Sequence, residues 1–405
     1  MKAEDFSQDM PGQLVPTERR DGLAFVPEPL PPRDFPLDFE LTNQLSEADV
    51  ALATLEGLTR TLRDPRILLR PFLLKEAVDS SRIEGTQTTY SDLLLFEAAS
   101  ASAQRAADPD TRVTANYIAA LDYGIERTKE LPFSRRLMCE VHGHLMRGYN
   151  EHKSRPGQIR TGQVVIGAPN ATPDTARFVP PPGSYLDQLI TDFEKFCNDY
   201  KGMPVLLRIA LAHYQFETIH PFWDGNGRVG RLLISLLMTA EGRLSHPMLY
   251  LSGYFEKNRT EYYDRLLKVS ERAAWREWVA FFLEGVRTQA VDACERIKAF
   301  QALRARLDAR VTTRKRGAAS DSRFLDRIFE LQITSVPLAR KWLGLSAPSA
   351  KDAIDRFVEH GILRRIEGFP GKTHYWFAPE IISVIQGVEL DFPTNESPEA
   401  TTTAV

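Results

Sequence analysis

Residues His220 to Arg231 read HPFWDGNGRVGR and bring a base, an acid, glycines and paired arginines into one short stretch. Gly225 and Gly227 allow a sharp turn and a close approach of backbone to ligand. The LLISLLM run that follows predicts a helix whose N-terminal amides face the turn. Such a loop is a cradle for anions. Arg228 and Arg231, three apart on that helix, share a face where two guanidinium forks can hold phosphate oxygens. Asp224 adds a carboxylate at the same place, suited to a hard divalent cation that bridges phosphates, with magnesium the best match. His220, with an ordinary pKa near ~6.5, is the proton acceptor at neutral pH. Together these groups describe phosphoryl or nucleotidyl transfer.

The same letters nearly spell two commoner phosphate motifs. GNGRVG fits the dinucleotide pattern GxGxxG, but that fingerprint follows a strand, and residues 205–219 carry helical periodicity. A P-loop needs Lys-Ser/Thr where this chain has Arg231 and Leu232, so the lysine and the metal-binding hydroxyl are both missing. A plain glycine-rich turn, with His220 capping the preceding helix, would explain an isolated GNG but not the whole constellation.

HPFWDGNGRVGR resembles the signature HPFx(D/N)GNGRxxR of the Fic-domain family at every specified position. The resemblance implies a mainly α fold, a helical-bundle core with a β-hairpin flap. It also implies transfer of AMP from ATP to a Ser, Thr or Tyr hydroxyl of a target protein and of the chain itself, with release of pyrophosphate. By that resemblance His220 is the catalytic base, Phe222 packs inward to fix the loop, and Asp224 holds Mg2+. Gly225, Asn226 and Gly227 then line the anion hole, and Arg228 and Arg231 bind phosphates. Relatives with lysine at the position of Gly227 bind the nucleotide in another orientation and transfer a phosphate, so glycine here favours adenylylation. Residues 161–182, with the β-like runs GQVVIG and RFVPP, would be the flap, where Val165, Ile166 and Gly167 pair with target backbone by strand addition. Read without the family, they are an ordinary surface hairpin. NRTEYYDRLLKV resembles the family's nucleotide-side helix and puts Tyr262 and Tyr263 beside the adenine, although aromatic residues at helical spacing also suit a core.

The segment ending SSRIEGT carries Ser80, Glu84 and Gly85, which resembles the family's inhibitory motif (S/T)xxxE(G/N). Glu84 falls in the last turn of a helix, where the macrodipole disfavours an acid by about 0.3–1 kcal/mol, and Arg231 is the cation that would compensate. With Glu84 in the fork of Arg231 the γ-phosphate is excluded, and ATP binds in a pose wrong for attack. Ser81 to Glu84 also fits a capping box, but a capping box opens a helix and Gly85 marks an end. Glu84 could also position a water for removal of AMP, so the dominant direction of the reaction stays open.

These groups need a scaffold, and the composition supplies an ordinary globular one: 405 residues, 43% hydrophobic and 26% charged, which leaves little room for a disordered, collagen-like or membrane protein. The longest apolar run, residues 232–238, is far short of the roughly 18 needed to span a bilayer. The N-terminus lacks a secretory pattern, and Cys139, Cys197 and Cys294 are scattered without metal spacing, so a reducing cytoplasm is the expected compartment. A net charge of −3 argues against general polyanion coating.

Along the chain, Pro11, Pro16, Pro27, Pro29, Pro31, Pro32 and Pro36 predict an extended arm over 1–40. A helical segment follows over 41–100, with a short helix from Pro71 to Glu84. The catalytic core spans 101–300, and a basic linker 301–320, where Asp308 is the one acid among several cations up to Arg316. Over 321–385 the order helix, helix, turn, helix and two strands around GFPGK resembles a winged helix-turn-helix. An acidic tail, 386–405, is read as disordered. An alternative function, a DNA-binding regulator, would act through this C-terminal module. Its recognition helix, 348–360, sets Lys351 and Arg356 against Asp352, Asp355 and Glu359, a net negative face poor for phosphates. Arg364, Arg365 and Lys372 soften that objection, and a homodimer is a further partner the reading admits.

Overall fold

The computed structural model describes residues 1–62, 64–311, 318–367 and 373–387. In chain order the elements are β1 (Gly12–Pro16), β2 (Leu23–Pro27), α1 (Phe39–Arg60), α2 (Arg66–Ile83), α3 (Tyr90–Ala98), α4 (Ala101–Ala106), α5 (Pro109–Thr128), α6 (Arg135–Leu145), α7 (Glu151–Ser154), α8 (Leu186–Asp199), α9 (Val205–Ile219) and α10 (Asn226–Ala240). Then come α11 (Ser252–Lys257), α12 (Arg259–Arg272), α13 (Trp275–Val311), α14 (Ala318–Leu331), β3 (Ile333–Ser335), α15 (Val336–Leu343), α16 (Ala347–Glu359), β4 (Arg364–Arg365), β5 (Tyr375–Phe377) and α17 (Pro379–Gln386). The mainly α expectation holds.

Two compact units divide the chain. The first holds residues 1–61, 76–88 and 108–293. Its centre is α9, largely apolar and buried nearly throughout from Leu206 to Ile219. α10 packs beside it with Val229, Leu232 and Leu236 fully buried. Trp278 fixes α13 to α9 by donating its indole N–H to the Ala210 carbonyl at 2.9 Å. The helices around this pair begin at side-chain caps, Asp108 for α5 and Ser134 for α6, which satisfy amides that the first turn leaves free. α2 ends where expected: Gly85 has φ +91°, and the Thr86 amide reaches back to the Ser81 carbonyl at 3.2 Å, a left-handed stop that glycine makes without strain.

The second unit holds residues 62–75, 89–107 and 294–405. Thr89 and Asp92 form a capping box that opens α3. Tyr90 donates to Gln332 at 2.8 Å, Phe300 meets Phe329 edge-on, and β3, β5 and β4 form a small antiparallel sheet in that order, with Ile333 and Arg364 both opposite Phe377.

The structure corrects several expectations. Residues 1–40 are no extended arm: β1 and β2 pair as an antiparallel hairpin with Gly12 opposite Pro27 and Pro16 opposite Leu23. Pro16 and Pro27 close their strands, positions where a missing donor costs little, and Ala24 and Phe25 between them are fully buried. The helix expected from Pro71 to Glu84 starts at Arg66, so Pro71 lies inside α2 and forgoes one main-chain bond near its start. The flap is reduced to one bridge, Ile166 opposite Phe178. Proline at 169, 173 and 180–182 removes the donors a longer ladder needs, and the Val179 carbonyl accepts instead from the Phe25 amide at 2.9 Å. Residues 301–311 continue α13 rather than forming a linker, because Leu303, Leu307 and Val311 are buried at helical spacing. Strand β3 had no counterpart in the sequence reading. The remaining linker residues 312–317, the GFPGK turn with Lys372, and the tail beyond 387 lie outside the described residues. No helix among the described residues is long and apolar enough to cross a membrane.

Phe25 joins Met1, Ala24, Ala176, Phe178 and Val179 in one apolar cluster. Phe25→Ala is expected to cost about 3–5 kcal/mol in urea unfolding if the cluster shares the global transition. If it opens separately, the amides of Ile166 and Phe178 should instead lose hydrogen-exchange protection; unchanged stability and protection together would refute the packing.

Candidate functional site

The loop 220–225 joins α9 to α10, and its shape follows from unusual backbone. His220 is left-handed, φ 51° and ψ 60°, a conformation a non-glycine residue adopts only when its surroundings enforce it. Gly225, φ +81°, leads into α10, and a Cβ there would sit 2.7 Å from the Met146 sulfur. Asn226 braces the turn: its side chain accepts from the Phe222 amide at 2.8 Å and donates to the Phe222 carbonyl at 2.9 Å. Its side chain is thereby spent mainly on bracing the turn. Phe222 is fully buried and lies flat on His142, ring centres 3.9 Å apart and 2° from parallel.

α10 begins without a side-chain cap, so the amides of its first turn point into the site unmet. Beside them Arg228 and Arg231 are 4% and 2% exposed. Arg228 Nε and Nη1 and Arg231 Nη1 are buried without a hydrogen-bond partner, a costly state for donors on permanent cations. Arg228 lies 3.7 Å from Asp224 and beside the face of Tyr149.

One anion does reach the cradle. Glu84 Oε1 accepts from Arg231 Nη2 at 2.8 Å, and Ser80 takes two more bonds from the same guanidinium, through its hydroxyl at 2.9 Å and its carbonyl at 2.8 Å. A Cβ on Gly227 would come within 2.2 Å of Glu84 Oε1, so the carboxylate lies directly over the start of α10. Burial alone would raise the Glu84 pKa, but Arg231 and Arg228 overcome it and hold the group below its ordinary value. Glu84 is charged here.

His220 Nδ1 lies 3.2 Å from the Glu217 carbonyl. A carbonyl can only accept, so Nδ1 carries the proton and Nε2 keeps its lone pair. Burial, then the positive Arg160, push the imidazole down to about 4, and it is neutral at physiological pH. Asp224 caps its own loop, its Oδ1 accepting from the Gly225 amide at 2.6 Å, with its side chain 44% exposed. Magnesium keeps several waters and needs few protein ligands, so one exposed carboxylate at the mouth of a phosphate cradle fits it. Among the described residues no cluster of His, Cys, Asp and Glu suited to an all-protein metal site occurs.

A cavity of about 480 Å³ opens at this loop, lined by Glu84, His220, Gly227, Arg231, Tyr263 and the flap residues Ile166 and Gly167, among others. Tyr262 and Tyr263 both border it, in different ways. Tyr262 is 1% exposed and donates to His213 Nε2 at 2.8 Å, while His213 Nδ1 donates to the Gly230 carbonyl at 3.1 Å, a chain that ties α12 to α9 and α10. Tyr262 is thus largely core, whereas Tyr263 is half-buried with Arg259 over its ring at 5.8 Å. In the flap, Ile166 spends both main-chain groups on Phe178, at 2.8 and 3.1 Å. Val165 and Gly167 flank that bridge outside regular strand.

Sequence reasoning missed four residues here. Arg160, 1% exposed, bonds the main chain of both loop and flap. His142 accepts from the Gly157 amide and donates to the Asp224 carbonyl, at 2.8 and 2.9 Å, and burial pushes it down to about 4. His213 supplies the chain just described. Glu217 lines the cavity with Oε1 buried and unpartnered, and burial pushes it up to about 8. Each lies outside the motif's short reach, and none had a spacing signal. In the C-terminal unit, Lys351 pairs with Asp355 and Arg356 with Asp321. The two cations of α16 are therefore already neutralised, which weakens the DNA alternative.

Comparison with known proteins follows the same lines. Residues 42–126 match the Fic/DOC family N-terminal model and residues 132–238 the Fic/DOC family model. A probable protein adenylyltransferase of Aquifex aeolicus is 30% identical over 160 residues, 40% of this chain and 44% of that protein. Protein adenylyltransferase fic-1 of Caenorhabditis elegans is 36% identical over 112 residues, 27% of this chain and 19% of that protein. This chain therefore spans less than half the length of these relatives. Among solved structures, a Fic family protein from Desulfovibrio desulfuricans G20 superposes with a TM-score of 0.55 at 19% identity, covering 85% of this chain and 97% of that one, which speaks to the fold.

The 2.2 Å approach of Glu84 to Gly227 makes a direct test. Gly227→Ala should destabilise the protein by about 1–3 kcal/mol, because the methyl and the carboxylate cannot share the space. In a Glu84→Gly background the same change should cost far less. Equal costs in thermal unfolding of both pairs would show that the carboxylate does not occupy the cradle.

Proposed function

We propose, for a chain that belongs to the Fic/DOC family, that it is a protein adenylyltransferase moving AMP from ATP to a Ser, Thr or Tyr hydroxyl of a target protein and of itself, and that Glu84 holds it inactive. The observation that carries this reading is the cradle itself: an uncapped helix start and two buried guanidiniums with orphaned donors, arranged for more negative charge than Glu84 provides.

The site's own residues account for the chemistry. His220 Nε2 takes the proton of the incoming hydroxyl as that oxygen bonds to the α-phosphorus, and the bond from the α-phosphorus to the bridging oxygen of pyrophosphate breaks. Arg228, Arg231 and the first amides of α10 stabilise charge on the transferred group and the leaving group, each such donor contributing about 3 kcal/mol. Asp224 is the residue that would hold magnesium, whose chemistry there is neutralisation of phosphate charge. The edge of Val165 and Gly167 suits strand addition by the target, and Tyr263, with Tyr262 behind it, suits the side of the cavity facing the nucleotide base.

Glu84 and the γ-phosphate compete for the same guanidinium. With Glu84 in place, ATP cannot seat its triphosphate along α10, and the α-phosphorus is not presented to the hydroxyl. Glu84→Gly is therefore expected to raise self-adenylylation at least tenfold, and His220→Ala in that background to lower it by about 10²–10⁴-fold, followed by intact-mass spectrometry with each nucleoside triphosphate. An added AMP mass that appears equally in wild type and Glu84→Gly would remove the brake, and a different added mass would remove the reaction.

The pH dependence has a definite sign. His220 acts only when neutral, and its depressed value keeps it neutral down to about pH 4. In Glu84→Gly, kcat/KM for ATP should stay flat from pH 8 to about pH 5.5, without the acid limb an ordinary imidazole would give near ~6.5. A fall of about fourfold between pH 7.5 and 6, which an imidazole at ~6.5 gives, would contradict this environment for His220.

A further inference from the structure

Arg160 is among the largest fully buried side chains of the protein, and nothing in the transfer step just described uses it. Its guanidinium makes four hydrogen bonds, all to main-chain carbonyls: Nη1 to Gly162 at 2.7 Å, Nη2 to Pro181 at 2.7 Å and to Ile219 at 3.1 Å, and Nε to His220 at 2.7 Å. Its own amide donates to the Pro221 carbonyl at 2.9 Å. Gly162 and Pro181 stand at the two ends of the flap, while Ile219, His220 and Pro221 carry the turn from α9 into the catalytic loop. One planar group thus references both ends of the flap and the left-handed turn to each other.

A second clasp lies beside it. Glu18, in the turn between β1 and β2, accepts from the Gly183 amide at 2.8 Å and from the Gln163 amide at 3.2 Å, so it holds the same flap ends from the other side. The spacing leaves no slack: a Cβ on Gly183 would fall 2.3 Å from the Thr161 carbonyl oxygen, and one on Gly162 2.9 Å from the Trp223 ring.

We propose that Arg160 is a positioning residue for AMP transfer: it holds the His220 backbone in its left-handed turn and fixes the flap to it, so that the edge presenting the hydroxyl and the imidazole receiving its proton keep one geometry. This rests on the reading of His220 and the flap given above. Lysine could not do the same, since an ammonium has three donors at one point, whereas these carbonyls surround a fork. The buried charge also faces His220 and opposes its protonation. The other charged or titratable groups lining the same cavity are Glu84 just past α2, Glu217 from α9, Arg231 from α10, Arg177 from the flap, and Arg259, Tyr262 and Tyr263 from α12.

The test uses the full chain carrying Glu84→Gly as parent, with Arg160→Lys and Arg160→Gln added separately. Self-adenylylation kinetics, ATP affinity by calorimetry and the His220 titration by NMR on histidine-labelled protein are read for each. Arg160→Lys is expected to lower kcat about 100-fold, the cost of a displacement near 1 Å, with ATP affinity within about threefold of the parent and the His220 midpoint unmoved. Arg160→Gln should show the same loss and raise the His220 midpoint by about one unit. Arg160→Lys with kcat within about threefold of the parent would overturn the proposal. If both variants fail to fold, Gly183→Ala, whose Cβ would fall 2.3 Å from the Thr161 carbonyl oxygen and so push the flap end away from the carbonyls Arg160 holds, should lower kcat about tenfold at unchanged ATP affinity, and parental kcat there would overturn the proposal. Should the parent itself transfer no AMP, the functional reading falls separately, and the NMR arm still decides the placement of Arg160: an unmoved His220 midpoint in Arg160→Gln would sink it.

Discussion

A demand for negative charge organises the first unit. The start of α10 presents unmet amides, and Arg228 and Arg231 add two cations withdrawn from water. Leaving such a charge buried and unpaired costs several kcal/mol, so the folded protein needs an anion here before any substrate arrives. Glu84 supplies one charge. That is enough to pair Arg231 but leaves donors on both arginines unused, so the resting state meets only part of the demand. A triphosphate brings more charge and more acceptor oxygens to the same donors. On the function proposed above, exchange of Glu84 for ATP would replace a partial match with a fuller one, rather than open a satisfied site. Glu84 also sits at the C-terminal end of α2, where the helix dipole works against an acid by about 0.3–1 kcal/mol, and this lowers the cost of displacing it.

The turn that carries His220 depends on support from outside itself. A left-handed non-glycine residue costs about 1–3 kcal/mol, and the loop recovers this through bonds that only this backbone path permits. Asn226 closes the turn on Phe222, His142 stacks on Phe222 while donating to Asp224, and Arg160 collects carbonyls on either side. His142 accepts at Nδ1 and donates at Nε2, so only its neutral form fits, and burial keeps it so. His220, the proposed base, and the imidazole that supports its loop are therefore held uncharged by the same physical means. Desolvation serves the chemistry at one and the architecture at the other.

What could be read from the sequence was what lies close together along it. Glycines, arginines, acid and base fall within 220–231, and the helix that follows has a plain apolar period, so the cradle was legible. Ser80, Glu84 and Gly85 were legible as one turn at a helix end, and their target Arg231 followed from charge. Contacts across long separations were not. Glu18 meets residues 163 and 183, Phe25 meets Val179, and Arg160 meets 219 to 221; no local pattern announces such partners. Proline density over the first forty residues misled for a related reason. It reports missing donors, but strand ends and turns tolerate them, and the buried Ala24 and Phe25 decide the pairing. The helix through 301–311 was hidden because its charged residues are frequent, while Leu303, Leu307 and Val311 keep the apolar stripe.

Gly227 joins the two functions argued for this site. The absence of a side chain there lets the α10 amides meet an anion at close range, and the same absence gives Glu84 room, since any Cβ would lie 2.2 Å from its carboxylate oxygen. A residue larger than glycine would displace Glu84 and, on the function proposed above, would crowd the phosphate path as well. The proposed brake and the cradle would thus be coupled by sharing one small volume rather than by a signal carried between separate places. A carboxylate and a phosphate are alternatives for that volume, and only the one whose charge better matches Arg228 and Arg231 can displace the other. On this view α2 need not unfold or depart for the site to work: a rotation of the Glu84 side chain, already partly exposed, clears the space, while Ser80 can keep its bonds to Arg231.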